Sequence, residues 1–139
     1  MATDLKSLLL DLPGATDFTQ QRDGWWMSAP NLDVLATAQR MLGLGGRLST
    51  ITAAALPGDE TEVIYHYYFD HQVFNFKVVT QKNTIPSIGS ILPAGDWIER
   101  EIQDLYKVQF TGHPHPERLI LPAQLEPGLF REPGGKQKR

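Results

Sequence analysis

The stretch that decides the fold is residues 62–81, EVIYHYYFDHQVFNFKVVTQ. Aromatic and β-branched residues alternate with polar ones through 62–70 and again through 73–81, which is the two-residue period of a strand with one buried face. His71 and Gln72 separate the two runs and are predicted to form the turn. The pattern therefore predicts an antiparallel hairpin that needs helices on only one of its faces.

Further strands and helices are predicted on both sides of this hairpin. Residues 16–20 and 25–29 are predicted strands around an Asp-Gly turn signal, and residues 47–56 form another predicted strand. Leucines at helical spacing predict a short helix that ends at Pro13, and a helix is also expected at about 95–106. A short helical turn is expected at 86–92.

A further helix is predicted after Pro30. Asn31 is assigned as its N-cap and Asp33 to its first turn. The glycine-rich residues 43–46 follow this helix rather than a strand and lack a Gly-Lys-Ser/Thr continuation, so they are assigned to a helix C-cap rather than to a phosphate loop. The residues expected on the inner face of this helix are Leu35, Ala38 and Leu42.

The element order α-β-β-α-β-β-β-α predicts the fold class. It is a two-layer α+β domain with a mixed or antiparallel sheet and helices on one face, followed by an irregular C-terminal segment. Residues 1–125 are assigned to this single domain. Residues 126–139 are assigned to an extended or flexible tail, because the final residues are polar and rich in glycine and charge.

The amino-acid composition argues against several classes of function. The chain has 139 residues, a formal net charge of −3 and no cysteine. One domain of this length buries a core without disulfides, and a thiolate-bound iron–sulfur cluster is excluded from this chain. No broad basic face is expected, so nucleic-acid binding is not predicted. The sequence contains neither a signal-peptide pattern nor a run of ~18 apolar residues, so membrane association is expected only through partners.

A second informative stretch is residues 97–122, WIEREIQDLYKVQFTGHPHPERLILP, in which acids, bases and apolar residues are closely interleaved. On a helix, Trp97, Glu101 and Asp104 share one stripe. Glu99 is assigned to the solvated outward face. The apolar stripe beside the acids is formed by Ile98, Ile102 and Leu105.

The acids of this stripe are predicted to form a structural clamp. A carboxylate at the border of a buried face needs a partner, because an unpaired buried charge is costly. Glu101 and Asp104 are therefore expected to hold the Gly112-His113-Pro114 corner against the helix. Arg118 is expected to pair within the chain or across an interface with another protein.

A stand-alone enzyme is the competing hypothesis. Glu101 and Asp104 lie on one helix face, so together with His113 they are candidates for an acid–base cluster. The sequence offers no activated nucleophile or oxyanion loop beside them.

A metal site is a variant of the same alternative. In an extended segment His113, His115 and Glu117 project from one side, a spacing that is compatible with zinc. A closed site needs a fourth ligand, for which His66 and His71 are the remaining histidines. A structural corner, in which His113 hydrogen-bonds a carboxylate, is the simpler interpretation.

The 97–122 stretch also carries a family resemblance. The order Trp-x-Glu-Arg-Glu, Asp, Phe-x-Gly-His-Pro and Arg-Leu-Ile-Leu resembles the 30 kDa subunit of respiratory complex I, which is the C subunit of NADH-quinone oxidoreductase (respiratory-chain NADH dehydrogenase). It also resembles the equivalent subunit of energy-converting NiFe hydrogenases. The matching positions are Trp97, Glu99, Arg100, Glu101, Asp104, Phe110, Gly112, His113, Pro114, Arg118 and Leu121.

The resemblance implies a subunit that carries no redox centre. Such a subunit lies in the peripheral arm of a membrane complex, on the cytoplasmic side, and braces a large NiFe-hydrogenase-like (49 kDa-type) subunit and an iron–sulfur subunit. Iron–sulfur, NiFe and quinone sites are then expected in those partners. The residues assigned to the structural clamp or to partner docking, with none assigned as catalytic or metal-binding, are Trp97, Glu99, Arg100, Glu101, Asp104, Gly112, His113, Pro114, Arg118, Phe130 and Arg131.

Two departures from the family pattern affect these expectations. Lys107 stands where the family usually has glycine, and lysine resists the left-handed conformation of a helix end by roughly 1 kcal/mol. The end of this helix is therefore expected to differ. The segment containing Phe130 and Arg131 is only a partial match to the family's C-terminal docking segment, so these two residues are the remaining candidates for that contact.

Overall fold

The fold is organised around the hairpin formed by residues 62–81. A computed structural model describes residues 7–114. The strands are β1 (Phe18–Gln21), β2 (Gly24–Ser28), β3 (Arg47–Ala55), β4 (Thr61–Phe69), β5 (Gln72–Val79), β6 (Thr84–Pro86) and β7 (Gln109–Thr111). The helices are α1 (Val34–Leu44) and α2 (Ala94–Tyr106), and residues 7–10 are also helical.

Five strands form one mixed sheet in the order β1-β2-β5-β4-β3. β2 runs parallel to β5, and the other neighbours are antiparallel. The predicted β4–β5 hairpin is confirmed, with Tyr65 opposite Phe76 and Tyr67 opposite Phe74. Its turn lies one residue earlier than predicted, because Asp70 and His71 both adopt positive φ, as a two-residue primed turn requires.

The core lies on one face of this sheet. Inward positions alternate along the hairpin, so that the side chains of Tyr65, Tyr67, Phe74 and Phe76 are at most 1% exposed. Residues of α1, α2 and the helical segment 7–10 join these aromatics in one apolar cluster. The predicted two-layer α+β domain with helices on one face is confirmed.

Helix α1 is capped differently from the prediction at its start. Asp33 is the N-cap, and its carboxylate accepts a hydrogen bond from the Ala36 amide at 2.9 Å. Asn31 instead accepts a hydrogen bond from Gln81 at 3.2 Å, so its assignment as the cap was wrong. The predicted glycine C-cap is confirmed, because Gly45 is left-handed with φ 87°.

The predicted inner face of α1 was also partly wrong. Ala38 is buried as expected, whereas Leu35 and Leu42 are 37% and 53% exposed. Val34 and Met41 take their places in the core. Leucine and valine are both apolar, so the pattern of hydrophobic residues alone did not fix the rotation of the helix about its axis.

The short strands β6 and β7 were not predicted. They pair in parallel over three residues each, with Ile85 opposite Phe110. Three residues are too few to show a two-residue alternation. This pairing brings the two chain segments that flank α2 together.

Asn83 joins the turn before β6 to the end of α2. Lys82 and Asn83 both have positive φ, and the Glu60 carboxylate accepts their backbone N–H groups at 2.8 and 3.1 Å. The Asn83 amide nitrogen donates to the carbonyl oxygens of Tyr106 and Lys107 at 3.3 and 3.0 Å. These carbonyls at the end of the helix thereby gain a partner.

Lys107 adopts the left-handed conformation, which is unfavourable for a residue with a Cβ. Its φ is 65° and its N–H donates to the Gln103 carbonyl. The expectation that the helix end would differ because glycine is absent was wrong: the left-handed cap is kept and lysine occupies it. The hydrogen bond from Asn83 to the Lys107 carbonyl, at 3.0 Å, helps to hold this conformation.

Some predictions concern residues outside 7–114. The domain boundary at 125 and the tail at 126–139 fall there and stay predictions. Within the described part of the chain, no helix is long and apolar enough to cross a membrane.

Replacing Lys107 with glycine is expected to stabilise the protein. Glycine adopts positive φ without the Cβ clash, and this gain exceeds the entropy that glycine adds to the unfolded chain, leaving about 0.5–1 kcal/mol. Thermal unfolding is expected to show a midpoint several degrees higher. Lys107→Ala is the matched control: it removes the same charge but keeps the Cβ, so no rise is expected. An equal rise in both variants would assign the effect to the lysine charge.

Candidate functional site

Three segments meet beside the first half of α2. The loop 87–89 is joined to β7, because the Ser87 N–H donates to the Thr111 carbonyl at 2.9 Å. A Cβ built on Gly89 would lie 3.3 Å from the Pro114 ring and 3.4 Å from the Asp96 backbone. The loop, the corner at 112–114 and the helix are therefore in close contact.

Glu99 lies at the centre of this junction and is fully buried. One oxygen of its carboxylate accepts a hydrogen bond from the Ser87 hydroxyl at 2.5 Å, and the other accepts one from the Ile88 N–H at 2.8 Å. Gly95, Glu99 and Ile102 follow one another at helical spacing on the buried face of α2. The assignment of Glu99 to a solvated outward face was wrong.

His113 joins the corner to the helix through the backbone of Asp96. Its Nε2 atom lies 3.1 Å from the Asp96 carbonyl oxygen, which only accepts, so this nitrogen carries the hydrogen. The same atom lies 3.4 Å from the Asp96 carboxylate and 3.5 Å from the Glu99 carboxylate. The Asp96 and Glu99 carboxylates therefore both lie beside the corner, and the predicted clamp by Glu101 and Asp104 stays a prediction.

Burial determines the electrostatics of the junction. Loss of solvation raises the pKa of Glu99 to about 7; the hydrogen bonds from Ser87 and Ile88 lower it and the nearby Asp96 charge raises it. The pKa of Tyr65 and of Tyr67 is also raised, first by burial and then by the Glu99 charge. The Tyr65 hydroxyl has no hydrogen-bond partner among residues 7–114.

The two central groups of the junction are shielded from solvent. The Glu99 carboxylate and the His113 side chain are both fully shielded from solvent, so a substrate has no access to either group. Residues 7–114 contain no cluster of three or more metal-ligating side chains. His66 is occupied elsewhere: it lies on the opposite face of the sheet, where its ring nitrogens contact Asn75 at 2.6 Å and Thr52 at 3.0 Å.

The remaining α2 residues of the predicted site differ in exposure. Trp97 is 60% exposed, whereas Asp104 is fully buried. Arg100 and Glu101 are partly buried. Gly112 is exposed and adopts φ 74°, which glycine does without strain. The docking or clamp role of these residues stays a prediction.

Other predicted site residues lie beyond the described part of the chain. They comprise the two further candidate metal ligands, the predicted ion-pairing arginine and the two candidates for tail docking. These residues are His115, Glu117, Arg118, Phe130 and Arg131.

Sequence reasoning missed two contributors to the junction. Ser87 was assigned to a short helical turn at 86–92, whereas it lies in a loop whose hydroxyl reaches Glu99. Asp96 was overlooked because one acid in the first turn of a helix is ordinary. The sequence carries no local signal for either role, since both depend on contacts between segments more than ten residues apart.

Comparison with known proteins identifies a family and relatives that this chain resembles. Residues 28–133 match the family described as the 30 kDa subunit of respiratory-chain NADH dehydrogenase. The C subunit of NADH-quinone oxidoreductase from Sinorhizobium medicae (strain WSM419) is 42% identical over 65 residues, 45% of this chain and 32% of that protein. The J subunit of NAD(P)H-quinone oxidoreductase from Prochlorococcus marinus (strain NATL1A) is 49% identical over 49 residues, 33% of this chain and 28% of that protein. Each match thus spans about a third of the relative's length.

Two solved structures share the fold. A trypsin-resistant fragment (1–134) of Nqo5 superposes with a TM-score of 0.63 at 18% identity, covering 82% of this chain and 97% of the fragment. A chain of the membrane-bound sulfane sulfur reductase, an archaeal respiratory membrane complex, superposes with a TM-score of 0.69 at 22% identity, covering 93% and 81%. At these identities the likeness concerns the fold alone.

Replacing Glu99 with glutamine is expected to change how stability depends on pH. The folded protein holds the Glu99 proton more tightly than the unfolded chain, because burial raises the pKa from its ordinary 4.5 to about 7. This contribution to stability is complete below about pH 4.5 and is lost as the pH rises to about 7, at roughly 1.4 kcal/mol per pH unit. The free energy of unfolding of wild type minus that of Glu99→Gln is expected to fall over this window and to be constant above it, as measured by urea denaturation.

Ile102→Val is the control for this prediction. Ile102 lies on the buried face of the same helix and carries no titratable group, so its variant is expected to differ from wild type by a constant amount across the pH range. A constant difference for Glu99→Gln as well would show that Glu99 has no raised pKa in the folded protein.

Proposed function

Because the chain belongs to the family of the respiratory-chain NADH dehydrogenase 30 kDa subunit, we propose that it is a non-redox structural subunit of a respiratory membrane complex. The complex is a complex I-like NADH:quinone oxidoreductase or a related energy-converting NiFe hydrogenase. The family match over residues 28–133 carries this proposal. The names of the relatives, each a subunit of a quinone oxidoreductase, support it.

The junction around Glu99 supports a bracing role. Hydrogen bonds from Ser87 and Ile88 to the Glu99 side chain fix the buried face of α2. His113 fixes the chain beyond β7 to the same helix. A helix held in this way presents its outer residues in one orientation, which reduces the entropy that is lost when a partner binds.

Trp97 is the candidate anchor for that partner. At 60%, it is the most exposed of the large apolar side chains among residues 7–114. Tryptophan is enriched among the residues that contribute most to binding at interfaces, because it combines a large apolar surface with one hydrogen-bond donor. Arg100 and Glu101 are one helical turn away and supply polar contacts around it.

The proposed partners are a large NiFe-hydrogenase-like (49 kDa-type) subunit and an iron–sulfur subunit. The chain has no cysteine, so thiolate-bound clusters belong to those partners. The proposed location is the peripheral arm on the cytoplasmic side of the membrane. Electrons pass through the neighbouring subunits. This chain holds those two subunits in a fixed position relative to each other.

The test is recovery of a tagged copy from its own cells in mild detergent. A large subunit, an iron–sulfur subunit and membrane subunits are expected to come with it, and their identity distinguishes the quinone-reducing branch from the hydrogenase branch. Recovery of the chain alone, after gentle extraction and at native expression, would overturn the proposal. The stand-alone enzyme with Glu101, Asp104 and His113 as its acid–base cluster would then be the remaining alternative.

Replacing Trp97 with alanine is expected to weaken assembly without unfolding the chain. Loss of a central aromatic anchor is expected to lower the recovery of the large subunit by about tenfold or more, at an unchanged thermal midpoint. Leu42→Ala is the matched control, since Leu42 is a 53% exposed apolar residue on the other helix. Equal losses in both variants would show that Trp97 has no special part in docking.

A further inference from the structure

The corner at 112–114 covers the buried carboxylate of Glu99. The side chain of His113 is fully buried, and its Nε2 atom lies 3.5 Å from the Glu99 carboxylate and 3.4 Å from the Asp96 carboxylate. Two acids therefore lie beside one imidazole nitrogen. Because the ring is in contact with both carboxylates, movement of the corner away from α2 would admit water to them.

The corner is the element beside Glu99 that can move without breaking a strand or a helix. It follows the last residue of β7 and belongs to no regular element. Gly112 is exposed, adopts φ 74° and would carry a Cβ with no other atom within 4 Å. Rotation of the backbone at this glycine meets little steric resistance, so Gly112 is suited to act as a hinge.

Loss of the Glu99 proton would leave a negative charge in an unfavourable environment. Among residues 7–114, the only side chain within ion-pair distance of Glu99 that can become positive is His113. Asp96, on the same helix, adds a charge of the same sign, and the loop 87–89 has no ionisable side chain. A buried charge with so little compensation is costly. Ionisation therefore favours a conformation in which water reaches the carboxylate.

The sheet supplies no compensating charge either. Tyr65 and Tyr67 of β4 are the ionisable groups that approach Glu99 from this side. Burial is the main cause that raises the pKa of both hydroxyls, so both stay neutral over the physiological pH range.

From this arrangement we propose that the corner 112–114 is a proton-controlled latch on α2. It stays closed while Glu99 holds its proton, and it opens about Gly112 when Glu99 loses it. The neutral carboxyl keeps both of its hydrogen bonds in the closed state, since one oxygen accepts the Ile88 N–H and the other can donate its proton to the Ser87 hydroxyl. The latch is a property of this chain alone and does not rest on the proposed function.

The pH range of the latch follows from the two states of Glu99. Burial raises the pKa of Glu99 from 4.5 to about 7 in the closed state, and contact with water restores the ordinary value when the corner opens. The closed state thus binds the proton more tightly, an advantage that is complete below pH 4.5 and is lost as the pH rises to about 7. Across this window the equilibrium constant for opening is expected to rise about tenfold per pH unit, about 300-fold in all.

Opening of the latch has a consequence for assembly. The predicted ion-pairing and docking residues Arg118, Phe130 and Arg131 all follow the corner in the sequence. The corner fixes the position from which the chain continues towards them, so their contact with a partner would depend on pH. Only this consequence rests on the proposed function.

Modification of histidine by diethyl pyrocarbonate tests the latch on the isolated full-length chain. The reagent attacks accessible imidazoles, so the rate at His113, resolved by mass spectrometry, reports how often the corner is open. His71 lies exposed on the β4–β5 turn and is the internal reference for the reagent. The ratio of the His113 rate to the His71 rate is expected to rise about tenfold per pH unit up to about pH 7 and then to level off.

Glu99→Gln is the matched control. Its carboxamide has the shape of the neutral carboxyl and can make the same two hydrogen bonds, but it does not titrate. His113 is kept, so titration of the histidine itself affects both proteins. The rise in the ratio is expected to disappear in this variant. A ratio independent of pH in the wild type, or an equal rise in both proteins, would overturn the latch.

Hydrogen exchange separates opening of the corner from unfolding of the domain. The backbone amides of β4, a central strand of the sheet, are expected to stay protected at every pH at which His113 is modified. Loss of this protection in step with the modification of His113 would show that the whole domain unfolds, and it would overturn the latch.

Gly112→Ala is a second test that leaves Glu99 and His113 unchanged. Alanine resists the left-handed conformation, while its Cβ would meet no other atom within 4 Å. The closed corner is therefore strained, and the ratio is expected to be about fivefold higher or more at low pH, with the same pH window. An unchanged ratio would show that the corner does not open about Gly112 and would overturn the inference.

Discussion

The buried carboxylate of Glu99 is the constraint on which the second half of the domain depends. An ionisable group in the core requires several partners, and here they come from two segments outside the helix: Ser87 and Ile88 from the loop before α2, and His113 from beyond β7. An apolar residue at this position would fill the space without specifying how these segments meet. The carboxylate accepts hydrogen bonds in fixed directions, so it sets the position of the loop relative to the helix.

A second polar joint connects this assembly to the sheet. The Glu60 carboxylate holds the left-handed turn at Lys82 and Asn83 by accepting both backbone N–H groups. The Asn83 side chain then donates to the last carbonyls of α2. Helix α2 is thus fixed near its start by Glu99 and at its end by Asn83, while Ile102 packs into the core between the two. This arrangement tolerates a lysine in the left-handed cap position.

These joints explain how a small domain can serve as a brace. The apolar core and the two polar joints hold α2 in a fixed position on the sheet. The helix presents the exposed Trp97. A partner that binds there would contact an element that does not move relative to the rest of the domain. The proposed role in a respiratory complex needs this rigidity rather than a reactive group.

The sequence by itself determined the central hairpin and the class of the fold. The alternation of apolar and polar residues over 62–81 predicted the β4–β5 hairpin and its buried face, because each strand is long enough to show the two-residue period. The motif at 97–122 identified the family, since several uncommon residues recur there in a fixed order. The glycine-rich residues 43–46 were recognised as a helix C-cap because capping depends on local backbone geometry. Each of these features is decided by residues close together in the chain.

The tertiary structure decided what those local patterns left open. Glu99 is a charged residue on a helix rich in charge, so the local pattern placed it in solvent. Ser87 and His113, twelve and fourteen residues away, supply the groups that allow it to be buried. Leu35 and Val34 are equally apolar, and only packing against the sheet selected valine for the core. β6 and β7 are too short to show a period, and pairing across twenty-five residues defines them. Burial of a polar group is favourable only when its partners are in place, and the fold, not the local sequence, brings those partners together.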